Sequence, residues 1–201
     1  MNPLARATNL LVTPNKEWPV IAAEPTDLRR LFTRYAMPLA AIGPVIGMIG
    51  LTWFSSWGGW RPIGLGYAIS RAGLQFASSL AVAVLLGLAI DALARNFDAE
   101  PNRAQALKLS IYAATAQWVG GLFGFYPLID GLIAVAAWCY SAYLLYLGLP
   151  VLMKVPLPNR TRYLAVVIII AMLLWLIAAY LMNWLMIAAI AGPGASPRVL
   201  R

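Results

Sequence analysis

The sequence predicts an all-α polytopic membrane protein with five transmembrane helices, an N-terminus in the cytoplasm and a C-terminus outside. Three observations support this prediction. Hydrophobic residues make up 62% of the 201 residues, and the mean hydropathy is +0.76, whereas soluble domains use roughly 45–50% apolar residues. Several apolar runs are about 20 residues long, which is enough to cross a hydrocarbon core of about 30 Å. Lysine and arginine cluster between these runs, as they do in the loops that set membrane orientation.

Residues 1–34 precede the first apolar run and are predicted to form a cytoplasmic or interfacial segment. Their start does not fit a cleavable signal peptide, which needs a basic beginning and a longer apolar stretch. We expect residues 3–24 to lie against the lipid headgroups, and the alternative is a disordered tail. The side chains expected to point into the membrane are Leu4, Leu10, Leu11, Trp18, Val20 and Ile21.

Residues 35–190 are predicted to form one five-helix membrane domain. Pro38 and Pro44 lie in its first helix, and a kink is predicted near Pro44, because a proline ring clashes with the preceding turn. Gly43, Gly47 and Gly50 give that helix a seam of small residues. The five spans are placed at about residues 35–54, 70–94, 106–125, 128–149 and 163–190.

The ends of the last two spans have specific signals. Pro150 is expected to end the fourth span, because proline has no N–H and disfavours helical geometry in the residue before it. Ala134, Ala137, Ser141 and Gly148 share one narrow face of that helix, which favours close approach of a neighbour. The fifth run is roughly 42 Å long as a helix and must tilt, bend or project. Residues 191–201 are expected to be a flexible tail.

The distribution of basic residues predicts the orientation. With five spans, eleven lysine and arginine residues fall on the side of the N-terminus and four on the other side. The side with more of them is cytoplasmic by the positive-inside rule. The chain is therefore expected to be a multi-pass protein of the cell inner membrane, and its net charge of +8 reflects orientation and not nucleic-acid binding.

The chain lacks the residues of many catalytic and metal sites. It contains no histidine, so Ser-His-Asp triads are excluded. Cys139 is the only cysteine, so no intrachain disulfide and no Cys-based zinc site can form. We therefore expect no enzyme activity, no catalytic residues, no cofactor and no metal.

Polar residues within spans are the first candidates for function, because they are costly in lipid. Asp91 lies near the cytoplasmic end of the second span, with Arg95 four residues later on the same face. The simplest interpretation is an i,i+4 ion pair. The alternative is a carboxylate at the mouth of a cavity that binds a cation or relays a proton. Gln75 lies roughly opposite Asp91, so these two cannot hold one ligand by themselves.

Gln117 lies near the middle of the third span, in a stripe of small residues. That pattern is typical of a helix–helix interface in which the amide bonds across to a neighbour, and ligand binding is the alternative. Asp130 suits the positive end of a helix dipole, and Asn183 is expected to make a packing hydrogen bond. The stripe consists of Ala106, Ser110, Ala113, Gln117, Gly120, Gly121 and Gly124.

Three stretches resemble one known family. The segment 140–156 follows the pattern YxxYLxYxGLPVLMKxP, and matches Tyr140, Tyr143, Leu144, Tyr146, Gly148, Leu149, Pro150, Val151, Leu152, Met153, Lys154 and Pro156. A weaker pattern, PxKEWxxIAxE, matches Lys16, Glu17, Trp18, Ile21, Ala22 and Glu24. A second weaker pattern, FxxxxNxxxALKLxxYAxxPxWV, matches Phe97, Asn102, Ala106, Leu107, Lys108, Tyr112, Ala113, Trp118 and Val119. Together these patterns resemble the bacterial branch of the Yip domain family. Ala116-Gln117 stands where relatives have a proline, so no family kink is expected there.

The resemblance implies five spans with the N-terminus inside, and a membrane-organising or adaptor role, as a homo-oligomer or in contact with another membrane protein. The rival hypotheses are a small transporter or channel that uses Asp91, Gln75 and Gln117, and a lipid-handling bundle. Lys108 and Lys154 could join neighbouring arginines in a basic surface that recognises anionic headgroups, although the positive-inside rule alone accounts for them. The candidate functional positions are Asp91, Arg95, Lys108, Gln117, Tyr143 and Lys154.

Overall fold

The computed structural model describes residues 2–57, 64–124 and 127–191, and no strand occurs among them. The expected flexible tail lies, apart from Ala191, outside the described residues. Short π-helical (Leu31–Ala36) and 3-10 (Ala94–Phe97 and Gly121–Phe123) segments extend or connect the α-helices. The α-helices are α1 Pro3–Val12, α2 Pro14–Ala23, α3 Leu28–Arg30, α4 Met37–Ala40, α5 Ile42–Trp57, α6 Leu65–Leu93, α7 Arg103–Ala113, α8 Thr115–Gly120, α9 Pro127–Leu152 and α10 Leu157–Ala191.

Four helical stretches of the described chain are long and apolar enough to cross a membrane. They correspond to the first, second, fourth and fifth predicted spans, and α10 continues the last of them over 35 residues. The predicted third span is not one of them. The four stretches are Leu28–Trp53, Leu65–Phe97, Ile129–Leu152 and Leu157–Ala188.

The predicted third span is a broken element that is buried over most of residues 106–118. Helix α7 ends at Ala113, and α8 and a 3-10 turn continue the chain to Phe123. No proline causes the break, which falls at Ala114, before the Ala116-Gln117 pair where relatives have a proline. The segment is less apolar than the other spans because it carries Lys108, Ser110, Thr115 and Gln117. It packs mainly against α6 and α9, where it meets protein rather than lipid.

The helix of the first span is interrupted at Ala41, three residues before Pro44, near which the kink was predicted. Pro38 cannot donate to the carbonyl four residues before it, and the preceding turns are π-helical over Leu31–Ala36. Of the predicted glycine seam, Gly43 makes the close contact: a Cβ on Gly121 would lie 2.6 Å from the Gly43 Cα.

Pro150 does not end α9, contrary to prediction, because the helix continues to Leu152. Pro150 lies in the last turn of the helix, so its missing N–H removes only a hydrogen bond near the helix end. Leu149 and Met153, which lie on either side of it in the sequence, are fully buried, and their packing holds the last turn in place. The chain leaves the helix at Lys154, which has a left-handed backbone with φ of 51°.

The N-terminal cap, which we define as α1 and α2, is packed onto the helix bundle. Leu10, Trp18 and Ile21 are buried inside the protein, so the expectation that they dip into lipid was wrong. Leu4 and Val20 are exposed, Leu4 by 68%. Helix α2 packs against α9, and the Tyr140 hydroxyl donates to the Leu11 carbonyl at 2.7 Å. The cap is thus an integral layer of the fold.

Candidate functional site

A cavity of about 400 Å³ lies among α5, α6, α8, α9 and α10. Gln117, the amide predicted at a packed interface or a ligand site, lies on its wall together with Gln75. The predicted inward face of α9 lines it through Ala134, Ala137 and Ser141. These small residues leave the space that larger side chains would fill.

The helix α6 presents its polar residues to the cavity in helical register. Arg71, Gln75, Ser78 and Ser79 all line it, at spacings of three and four residues, which places them on one face of a helix. Towards the C-terminal end the same face becomes apolar, and continues with Val82, Ala83 and Leu86.

Ser141 is a deeply buried polar side chain of the cavity wall. It is 5% exposed, and its Oγ atom has no hydrogen-bond partner among the described residues. Ser110, also on the wall, donates its hydroxyl to the Leu107 carbonyl at 3.1 Å. A buried hydroxyl without a partner costs free energy unless water or a ligand satisfies it.

Asp91 lies outside the cavity lining. Its Oδ1 atom is buried and has no hydrogen-bond partner in the described chain. The expected ion pair with Arg95 is not formed there, and Arg95 is exposed. The helix changes to 3-10 geometry at Ala94, and the tighter turn rotates Arg95 off the face of Asp91.

The remaining predicted positions are separated from the cavity and from one another. Lys108 is buried, and its Nζ donates to the carbonyls of Ile21 (3.0 Å) and Glu24 (2.7 Å). Lys154 pairs with Glu100 at 2.7 Å on the surface. Tyr143 is 41% exposed. Lys108 therefore ties the cap to α7 and does not contribute to a basic surface.

A buried charge cluster fixes the cap. Arg6 and Glu17 are 2% and 6% exposed, and Arg6 Nη1 lies 2.5 Å from Glu17 Oε1. Arg6 also pairs with Glu24, and Asn9 donates to Glu17 at 3.1 Å. Trp18 fills the notch at Gly148, where an added Cβ would lie 2.9 Å from Trp18 Cζ2.

Sequence reasoning missed four cavity residues as a group: Arg71, Ser78, Ser79 and Ser141. Arg71 was weighed only for orientation, and Ser141 only as a small residue. The signal that could have found them is the polar periodicity of α6, in which positions 71, 75, 78 and 79 share a face. Asn183 is exposed on α10 and does not line the cavity.

Comparisons with known proteins cover both the cap and the cavity. The family model described as the Yip1 domain matches residues 8–179. The inner membrane protein YohC of Escherichia coli strain K12 is 29% identical over 152 residues, which are 73% of this chain and 78% of YohC. YohC of Escherichia coli O6:H1 gives the same values. No solved structure matches the chain significantly.

Proposed function

The chain is a multi-pass inner-membrane protein of the Yip1 domain family, and from this premise we propose that it binds a small amphipathic molecule within its helix bundle, without catalysing a reaction. This function agrees with two of the rival hypotheses drawn from the sequence, a lipid-handling bundle and a small transporter. The binding site is the cavity within the membrane domain.

One observation supports it: two glutamine side chains, Gln75 of α6 and Gln117 of α8, both line the cavity. A volume of about 400 Å³ falls within the roughly 300–1,000 Å³ of small-molecule sites. The wall is mainly apolar with a few polar groups, which is the composition that such sites share. A cavity of this kind suits a molecule that has both a polar and an apolar part.

We propose that the chain crosses the membrane five times, with α7, α8 and the following 3-10 turn as the central crossing. This segment spans residues 103–123, long enough to cross at 1.5 Å per residue, and its burial between α6 and α9 explains how it tolerates polar residues. With the N-terminus inside, Arg71 and Asp130 face the outer side. Membrane lipids are the proposed partners. The adaptor role, a protein partner and a homo-oligomer stay predictions.

Cysteine accessibility tests the site and the orientation together. Ser141→Cys is made in a Cys139→Ser background, and intact cells with a permeabilised outer membrane are treated with a membrane-impermeant thiosulfonate. We expect modification of Cys at 141 from the outer side, because the hydroxyl it replaces lines the cavity. Leu144→Cys is the matched control, since Leu144 is fully buried three residues further along α9 and should not react.

Ala137→Cys repeats the measurement at a second wall position, in case the first variant does not fold. Modification only in inside-out vesicles would reverse the proposed orientation and leave the cavity intact. If neither cysteine reacts from either side, in protein that elutes as a folded species, the binding proposal is wrong.

A further inference from the structure

Two opposite charges share the cavity without neutralising each other. Arg71 on α6 and Asp130 on α9 both line it. In the described part of the chain, neither makes an ion pair or a hydrogen bond. Asp130 is exposed and Arg71 is partly exposed, and each lies near the N-terminal end of its helix. One cationic and one anionic group on the cavity wall are therefore available to a ligand.

The charges stand at one end of the cavity. Arg71 is the first and Leu86 the last α6 residue on its wall, a separation of about 22 Å along the helix axis. Between them the wall changes from charge through amide and hydroxyl to hydrocarbon. Asp130 is likewise the first α9 residue on the wall, and Leu145 is the last. The cavity is polar at one end and apolar at the other.

Ser141 adds an independent observation that points to a ligand. Its hydroxyl is buried on the same wall and has no hydrogen-bond partner among the described residues. It lies eleven residues from Asp130, or about three turns of α9. A molecule that begins at the charges and extends along the wall would pass this hydroxyl, and a carbonyl oxygen of that molecule could accept a hydrogen bond from it.

Resting on the proposed function, we propose that the ligand is a zwitterion, with an anionic group at Arg71, an ammonium group at Asp130 and an apolar portion towards Leu86 and Leu145. An arginine fork suits a phosphate or carboxylate, and a carboxylate suits an ammonium group. The phosphoethanolamine headgroup of a lipid and a free phosphoethanolamine ester share this chemistry. The apolar end of the wall is what would distinguish them.

The test uses the purified full-length protein in detergent and four probes: dioleoyl phosphatidylethanolamine, dioleoyl phosphatidylglycerol, dioleoylglycerol and water-soluble glycerophosphoethanolamine. Binding is measured by native mass spectrometry and by the change in tryptophan fluorescence, since Trp118, Trp138 and Trp175 line the cavity. We expect the ethanolamine lipid to bind about tenfold more tightly than the glycerol lipid or dioleoylglycerol. Tighter binding of the lipid than of glycerophosphoethanolamine identifies a headgroup with its tails, and equal binding identifies a free zwitterion.

Arg71→Gln and Asp130→Asn should each abolish the preference for the ethanolamine lipid, and the double variant keeps the net charge of +8. Arg95→Gln and Asp91→Asn are matched controls that remove a charge elsewhere on or just after α6, and should keep the preference. Equal binding of both phospholipids with unaltered variants would overturn the zwitterion and leave amphipath binding standing. Absence of any retained lipid, with an unreactive cavity cysteine, would overturn the proposed function itself.

Discussion

The N-terminal cap and the cavity treat their polar groups in opposite ways. At the cap, Arg6, Glu17 and the α7 residue Lys108 are buried, and each has a charged or carbonyl partner within hydrogen-bond distance. In the cavity, Arg71 and Asp130 have none among the described residues. The cap offsets the cost of burying its charges by pairing them within the protein, whereas Asp130 is exposed and Arg71 is partly exposed. The comparison separates charges that hold the fold from charges that we propose are left for a ligand.

The difference also explains what the family resemblance captured. In the pattern that covers the cap, Glu17 pairs with Arg6, Trp18 packs against Gly148, and the Glu24 carbonyl accepts from Lys108. Gly148 and Lys108 belong to the two other family patterns. Several motif residues therefore dock the cap. Arg71, Gln75 and Asp130 lie outside the motifs, whereas Ala113 and Trp118 both match a motif and line the cavity. The residues that carry the family resemblance and the residues that line the cavity overlap only in part.

Breaking the cap should produce the largest effect. Glu17→Ala leaves the Arg6 guanidinium buried without one of its partners, and loss of one member of a buried pair costs about 3–5 kcal/mol. We expect a correspondingly large fall in the midpoint of thermal unfolding in detergent.

Glu100→Ala is the control for that variant. Glu100 pairs with Lys154 at 2.7 Å, but both side chains are more than half exposed, and such pairs contribute little. Equal unfolding midpoints for Glu17→Ala and Glu100→Ala would contradict a structural role of the buried cluster and weaken the comparison with the cavity.

The notch between the cap and α9 should give an intermediate effect. Gly148→Ala places a methyl group against Trp18 and Leu109, and overpacking of this kind costs about 1–3 kcal/mol. Gly131→Ala on the same helix meets nothing within 4 Å, and should be neutral or stabilising by about 0.5–1 kcal/mol. Thermal unfolding of the two variants measures the difference, and a Gly148→Ala protein as stable as the parent would show that the cap is not closely docked.

Much of the fold followed from hydropathy, because a helix that faces lipid must be apolar along its length. The stretches Leu28–Trp53, Leu65–Phe97, Ile129–Leu152 and Leu157–Ala188 were predictable for that reason. The break at Ala114 was not, since it has no proline signal. The burial of the cap was not predictable either, because Leu10, Trp18 and Ile21 satisfy an interfacial helix and a protein core equally well.

The site was only partly predictable. Gln117 and Gln75 could be identified from the sequence because a polar amide within a span is costly in lipid. The small residues around such an amide can either pack against a neighbouring helix or line a cavity. The outcome depends on the distance between the helices, which the periodicity of the sequence does not specify. Arg71 and Asp130 looked ordinary because each lies near a helix end, where charge is cheap, and only the three-dimensional arrangement brings them to one cavity.

The smallest expected effect is also the most direct test of the comparison. Gln117→Leu should change the free energy of unfolding by less than about 0.5 kcal/mol, because the amide makes no hydrogen bond among the described residues and leucine fills a similar volume. Thr115→Val, two residues earlier on α8, is the matched contrast: the Thr115 hydroxyl is buried and lies 2.7 Å from the Tyr35 hydroxyl. Its loss leaves a buried polar group unpaired, at a cost of about 1–3 kcal/mol. A stable Gln117→Leu protein that retains less phospholipid after purification would assign the amide to a ligand, whereas a loss of stability equal to that of Thr115→Val would make it a packing residue and the cavity a part of the fold.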